Sequence, residues 1–384
     1  MRHDMNLYKE PFELIRQGRK TVELRLNDEK RQKIRAQDLI FFHRTDEEYS
    51  VLKCRVQRIR TFPDFKELYL CYDPVSMGYR EDETADSADM LAYYRQEDID
   101  RYGAMAIEIE YLDDLYLTDG HMHMEYGDLS EEYVMRFVDA AVARGLDEID
   151  ILDHTHRFRE FECCYEHLRK YEEQDTWLKQ KTKFCNTLDD YYGLIEKLRK
   201  KDLPIRVKFG LEVCYSTDTE EMLRKILKDV HLDFLTGAIH SIDSILYDMP
   251  FSMKLFEGKK DIETINREFY EAELSLVRSG LFDRLAHPDQ IRICGPYDDA
   301  RLMDMYERLS SALKTADMYA ENNTGIHYRY GHDSIGLGEN LLQAFRDHDV
   351  RMICASDAHK PEHVGTDIYE ATLRNRGRYE RQSI

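Results

Sequence analysis

Side chains able to bind a metal ion or move a proton recur through the C-terminal two-thirds of this chain. His121 and His123 stand two apart, with Asp128 shortly after. His154, Glu212, His240 and His287 follow at long intervals, then the run Glu321, Asn322, Asn323, and finally Asp357 and His359. Many imidazoles with few carboxylates suit Zn, Fe or Mn, whereas Ca and Mg prefer all-oxygen shells. Some nine candidate ligands exceed the needs of one ion, so two or three divalent ions (Mn, Fe or Zn) are expected. Glu212 and Asp357 are the natural bridges, because the two oxygens of a carboxylate can hold two cations together. Ions clustered ~3.5–4 Å apart suit phosphoryl chemistry, since they acidify a shared water and clamp phosphate oxygens.

Residues so far apart meet only if the fold gathers them, and the pattern around them supplies a way. Short apolar runs (LYLTDGH, EIDILDH, VKFGLEV, FLTGAIHS, DRLAHP, MYAEN, MICASDAH) alternate with amphipathic stretches such as SEEYVMRFVDAAVARG and LDDYYGLIEKLRKK. Seven such strand–helix units predict an α/β fold, a parallel β/α barrel closed by right-handed crossovers. The C-terminal ends of barrel strands open on one face, and every one of these runs ends in a chemically capable residue. A single strand-end histidine is more often a hydrogen-bonded structural residue than a ligand. The same bias on six strands is not coincidence. His121 and His123 also share one strand face, because alternate residues do. The polar insertion at 160–187, with Cys163, Cys164, Tyr165 and Trp177, is expected to form a lid or helical elaboration.

The opening segment is different. Pro11 and Gly18 bracket a helix over PFELIRQG, and TVELRL, DLIFF, YSVLKCRVQRI and AMAIEIEYL alternate as strands. Few helices among several strands suggest a small β-barrel. The predicted organisation is therefore 1–113, then 114–372, then a polar tail at 373–384. The 384 residues suit two cores. Hydrophobic content of 42% without a long apolar run excludes a membrane span. Eight scattered cysteines without CxxC pairs suit reduced thiols, and with no secretory signal at the start a cytoplasmic protein is expected. The net charge of -21 argues against nucleic acid along the whole chain, but residues 1–66 carry +5 and the remainder -26.

DGHMH, ILDH, GLEV, AIHS, LAHP and ASDAH resemble, in order and spacing, the metal-binding motifs of the PHP phosphoesterases. The likeness spans about 115–365 and implies a distorted seven-stranded β/α (TIM-like, PHP) barrel with a trinuclear site. It implies His121, His123, Asp128, His154, Glu212, His240, His287, Asp357 and His359 as ligands. HTHRFREF, GAIHSID with YDMPF, and AENNTG with SDAHKPEHVG resemble the histidinol phosphatase branch. That resemblance implies Arg157 as a phosphate ligand through its guanidinium fork. Asn323 and Arg329 are further substrate-binding candidates, and His156 and His327 are candidates to support the ligands from behind. The alternative use of Asn323 is to tie a turn.

FELIRQGRKTVELRLNDEKRQKIRAQDLIFF resembles an ASCH domain, a PUA-like β-barrel, over about 5–113. ASCH domains are linked with RNA binding, and some hydrolyse acetylated cytidine. Glu23 stands where the hydrolytic branch carries threonine, which argues against that activity. The candidate ligand cleft is Lys20, Thr21, Glu23 and Arg25, with RNA or a nucleotide as its expected partner.

Together these readings point to hydrolysis of a small phosphate monoester, L-histidinol phosphate being the named expectation, with no membrane partner and the oligomeric state open. The rival enzyme reading is a nucleotide or nucleic-acid 3′-phosphoesterase targeted by the ASCH domain. The rival from another class is an RNA-binding module with a non-catalytic barrel.

Overall fold

A computed structural model describes residues 2–47, 50–112, 116–295 and 297–377. The chain divides into two compact units: residues up to Tyr116 with Val142–Gly145, and the rest from Leu117 onwards.

The first unit is a half-barrel of five strands: β1 (Arg2–Leu7), β2 (Val22–Leu26), β3 (Leu39–Arg44), β4 (Val51–Phe62) and β5 (Ala104–Tyr111). Their order is β1-β3-β4-β5-β2, with β1 parallel to β3 and the other pairs antiparallel. The β-rich residues of β3, β4 and β5 alternate about the sheet. One face buries Ile40, Phe42, Val56, Ile107 and Ile109 with Phe12 and Ile15 of the helix Lys9–Arg16. The other buries Val22, Leu24 and Ala106 under Phe65, Leu68 and Ile99. Strand β1 was not anticipated, because RHDMNL offers only Met5 and Leu7 as buried apolar positions.

The second unit contains β6 (Thr118–Met122), β7 (Glu148–His154), β8 (Arg206–Cys214), β9 (Phe234–Ala238), β12 (Arg284–Leu285), β13 (Tyr319–Asn323) and β14 (Met352–Ala355). A small antiparallel hairpin, β10 (Ser241–Ile242) and β11 (Ile245–Leu246), follows β9. The seven long-range strands are all parallel in the order β6-β7-β8-β9-β12-β13-β14. A bridge between Met122 and Ala358, with His123 N–H donating to Ala358 O at 2.7 Å, brings the last strand back to the first. The barrel is nearly closed. It is distorted, because β12 has two residues and β6 slips register against β7 after Asp119.

The strands read as continuous apolar runs because both faces are covered, as β7 shows with six buried residues in seven. Helices return the chain between them. Leu188–Leu198 starts with a reciprocal Thr187/Asp190 capping box. Ile262–Ser279 is capped by the Asp261 side chain and stopped at Gly280, whose φ of 64° suits glycine. At the C-terminus, the helix Ile368–Asn375 takes in the start of the expected polar tail, with Arg374 buried and bonded to Leu337 O. Residues 378–384 lie outside the described residues. No helix among the described residues is long and apolar enough to cross a membrane.

Candidate metal centre

The C-terminal ends of the strands deliver their side chains to one buried pocket, and Glu212 of β8 lies at its centre. Its Oε2 faces His154 Nδ1 at 2.6 Å, His123 Nε2 at 3.3 Å and His121 Nε2 at 3.6 Å. Its Oε1 faces His287 Nε2 at 2.9 Å and His240 Nε2 at 3.3 Å. Five imidazoles thus surround one carboxylate that is 1% exposed. Asp357 closes the next side, with Oδ1 3.4 Å from His123 Nε2 and 3.6 Å from His359 Nδ1.

These groups are arranged around common points more than around one another. Among the described residues none of the three nitrogens near Glu212 Oε2 is aligned to donate a hydrogen bond to it. Four triads have ligand atoms within 4.8 Å of one another: His121/His123/Asp357, His123/His154/His359, His154/Glu212/His240 and Glu125/His154/His156. Ligands about 2.1 Å from a tetrahedral ion stand about 3.4 Å apart, so this donor set fits metal ions. Sharing of His123 and His154 between triads fits neighbouring ions.

The electrostatics agree. Burial alone would raise the carboxyl groups of Glu212 and Asp357. The imidazoles of His154, His240 and His121 overcome it at Glu212, and Arg329 and His359 do so at Asp357, holding both well below the usual carboxylate range. Burial would lower His121 and His240, yet Glu321 and Glu212 hold His121 well above its ordinary value, and Glu212 does the same for His240. Burial, reinforced by His154 and His359, drives His123 well below. A bound divalent ion would resolve these opposed demands, because it would accept lone pairs from neutral imidazoles and carboxylates alike.

Supporting residues fix the ligands. Glu321 accepts from His121 Nδ1 at 2.7 Å, which leaves Nε2 directed at Glu212. The second Glu321 oxygen accepts from His287 N–H and from Asn323 Nδ2, each at 3.1 Å. His287 and Asp357 have φ of 29° and 55°, conformations uncommon for side-chain-bearing residues. Strain of this kind concentrates where a side chain must be aimed. Gly325 lets the chain pass close by, since a Cβ there would lie 3.2 Å from Asp357 Cβ.

Several expectations need correction. Asp128 is exposed and lies outside the triads; Glu125, on the same stretch, enters instead with His154 and His156. The alternation His121, His123, Glu125 was the signal that could have found it. Arg157 cannot serve the substrate in this conformation. It is buried, with its donors committed to Asp153 Oδ2 and Met124 O at 2.9 Å, Gly127 O at 2.8 Å and Asn186 Oδ1 at 2.9 Å. Asn323 ties a turn, accepting from Gly325 N–H at 3.0 Å. His327 pairs with Asp367 at 2.8 Å and enters none of the triads. Arg329 does reach the centre: its Nη1 lies 2.6 Å from Asp357 Oδ2 and 3.1 Å from His359 Nδ1. His156 enters the centre through its triad with Glu125 and His154, its Nε2 3.8 Å from Glu125 Oε2.

In the first unit, Lys20, Glu23 and Arg25 form a buried network where a ligand cleft was expected. Lys20 Nζ donates to Val22 O at 2.8 Å and Met77 O at 2.7 Å and sits 3.3 Å from Glu23. Arg25 Nε lies 2.8 Å from Glu23 Oε1, and Thr21 is exposed alongside. An open depression of about 510 Å³ in that unit is lined by other residues, including Gln32, Arg35, Gln57 and Arg58.

A nearly closed parallel barrel with imidazoles and carboxylates gathered at its strand ends defines a metal-dependent hydrolase. The family model of the PHP domain matches residues 119–325, and that of the ASCH domain matches residues 5–113. A probable histidinol-phosphatase of Deinococcus radiodurans is 23% identical over 264 residues, covering 66% of this chain and 91% of that protein. A histidinol-phosphatase of Lactococcus lactis is 27% identical over 217 residues, covering 54% of this chain and 71% of that one. The crystal structure of histidinol phosphate phosphatase from Lactococcus lactis, complexed with Zn, L-histidinol and phosphate, superposes with a TM-score of 0.54. Identity there is 21%, over 70% of this chain and 95% of the other, a likeness of fold. The chain belongs to the PHP-domain family, with an ASCH domain preceding the barrel, and is a metal-dependent phosphoesterase.

Proposed function

We propose that this protein hydrolyses a small phosphate monoester, with L-histidinol phosphate giving L-histidinol and phosphate. The observation that carries the reading is the Glu212 carboxylate set among five imidazoles. The names of the Deinococcus and Lactococcus relatives support the substrate. His121, His123, His154, Glu212, His240, His287, Asp357 and His359, with Glu125 in place of Asp128, would hold two or three ions of Mn, Fe or Zn. When bound, such ions supply an activated water and neutralise charge on the phosphoryl group.

The chain's own residues do the rest. Glu212 turns its two oxygens towards different imidazoles, which suits a bridging role, while Asp357 turns Oδ1 to His123 and Oδ2 to Arg329. Arg329 commits Nη1 to Asp357 and is 24% exposed, so the remainder of its guanidinium is available to a phosphoryl oxygen. Glu321 keeps His121 in one tautomer, and the buried pocket excludes bulk water from the reacting groups. The leaving alkoxide would take its proton from water.

The test is phosphate release by protein purified without chelator, from a panel holding L-histidinol phosphate, mononucleotides and a 3′-phosphorylated oligonucleotide. Histidinol phosphate should be the preferred substrate, and His121→Ala and Asp357→Ala should each abolish turnover. Preference for the nucleotides would favour the rival substrate class, for which the ASCH domain speaks. Near-normal activity in either variant would refute the assignment of the centre.

A further inference from the structure

We propose that Lys183, carried by the insertion that follows the second barrel strand, is a substrate-binding residue that contacts the phosphoryl oxygens. This rests on the phosphoesterase reading and assigns one of its binding groups.

The insertion runs from the 3-10 segment Arg159–Lys170 through the helix Glu172–Leu178 to a return segment at 180–186. That return is pinned to the chain leaving β7. Phe184 N–H donates to His156 O at 2.8 Å, Asn186 N–H to Arg157 O at 3.2 Å, and Arg159 N–H to Asn186 O at 3.0 Å. A bridge between Phe158 and Asn186 completes the pairing. Phe184 adopts φ of 51°, an unfavourable conformation for phenylalanine, with its side chain buried. Lys183 is therefore held at a defined place.

That place adjoins the metal centre. Lys183 Nζ lies 3.1 Å from His156 Nε2 and 3.4 Å from His156 Nδ1, so it sits across the ring and not in line with one nitrogen. It also lies 4.3 Å from the centroid of Trp177, whose ring meets His156 edge-on at 5.1 Å. The His156 ring is 4.6 Å from that of His154, and both share a triad with Glu125. Among the described residues, Lys183 has no carboxylate partner within 4.0 Å, whereas most buried cations here are paired. An ammonium carries three donors, and among the described residues no oxygen acceptor is hydrogen-bonded to this one, with the Glu125 and Asp248 carboxylates acting on it from farther off. A half-buried cation with unused donors beside a phosphoryl-handling centre is suited to an anion. With Arg157 consumed by its own loop, Lys183 and Arg329 approach the ligands from the segments that follow β7 and β13.

The experiment uses the full-length, metal-loaded protein and the variants Lys183→Met and Lys183→Arg. Three quantities are read: KM for the best ester, the inhibition constant of inorganic phosphate, and bound metal per chain. Loss of a charge-assisted hydrogen bond corresponds to about a ten- to hundredfold effect. Lys183→Met should weaken KM and phosphate inhibition together by that factor while metal content and thermal unfolding stay at wild-type values. Lys183→Arg should recover part of the loss. Values within threefold of wild type in Lys183→Met, or a loss of bound metal in both variants, would overturn the proposal. If wild type releases phosphate from no ester, the parent reading fails; direct calorimetry with inorganic phosphate then still judges Lys183 separately.

Discussion

Replacing Glu212 with glutamine keeps the shape of the side chain and removes one negative charge from the middle of five imidazoles. The group is 1% exposed, so solvent screens it little. Two unit charges about 4 Å apart interact by about 4 kcal/mol at an effective dielectric of about 20. Glutamine also offers one acceptor oxygen where Glu212 turns Oε1 to His240 and His287, and Oε2 to His121, His123 and His154. At about 1.4 kcal/mol per factor of ten, loss of one such interaction weakens metal binding about a thousandfold. Elemental analysis after dialysis, alongside kcat/KM for phosphate release, reads the effect directly. Glu212→Gln should retain fewer ions per chain than wild type and lose at least a thousandfold in kcat/KM. Wild-type stoichiometry with kcat/KM within tenfold would refute the bridging role.

Other outcomes follow from the same contacts. Glu321→Gln should lower metal affinity about 10–100-fold, through a loosened His121, as measured by competition with a chelating dye. Chelation should lower the unfolding temperature by several degrees, because ions at a hundredfold over Kd add about 2.7 kcal/mol; an unchanged melt would show that the ions are not bound. Arg157→Met should destabilise by about 3–5 kcal/mol, because it strands the buried Asp153 carboxylate, and denaturant titration reads this. Glu273 is 1% exposed, neither of its carboxyl oxygens is hydrogen-bonded among the described residues, and burial, helped by Asp289, pushes it well above its ordinary value of 4.5. Above pH 4.5 the unfolded chain loses this proton before the folded one does, so stability falls as pH rises towards the folded value. Glu273→Gln should therefore raise the melting temperature at pH 8 and leave it nearly unchanged at pH 4.

Much of the barrel was legible because its strands are buried on both faces and end in chemically capable residues. EIDILDH shows both features at once, and β7 ends at His154. The motif order sufficed to bring Glu212 towards residues as distant in sequence as His121 and His287. What the sequence hid depends on side-chain direction. Arg157 has the right chemistry for phosphate, yet a turn at 124–127 takes its donors. Asp128 and Glu125 are three residues apart, and only the loop's path decides which one faces His154. Glu23 and Arg25 alternate on β2 as ligand-lining residues would, but with Lys20, which precedes the strand, they pair with one another. Lys183 carries no motif at all. Its place comes from the backbone pairing of 184–186 with 156–159, which no periodicity signals.

Anomalous diffraction from crystals grown without chelator, recorded at the absorption edges of Mn, Fe and Zn, meets the central claim most directly. Two or more peaks about 3.5–4 Å apart, with Glu212 between them and His123 or His154 beside them, are predicted. A single peak elsewhere, or none within reach of Glu212, would contradict the account.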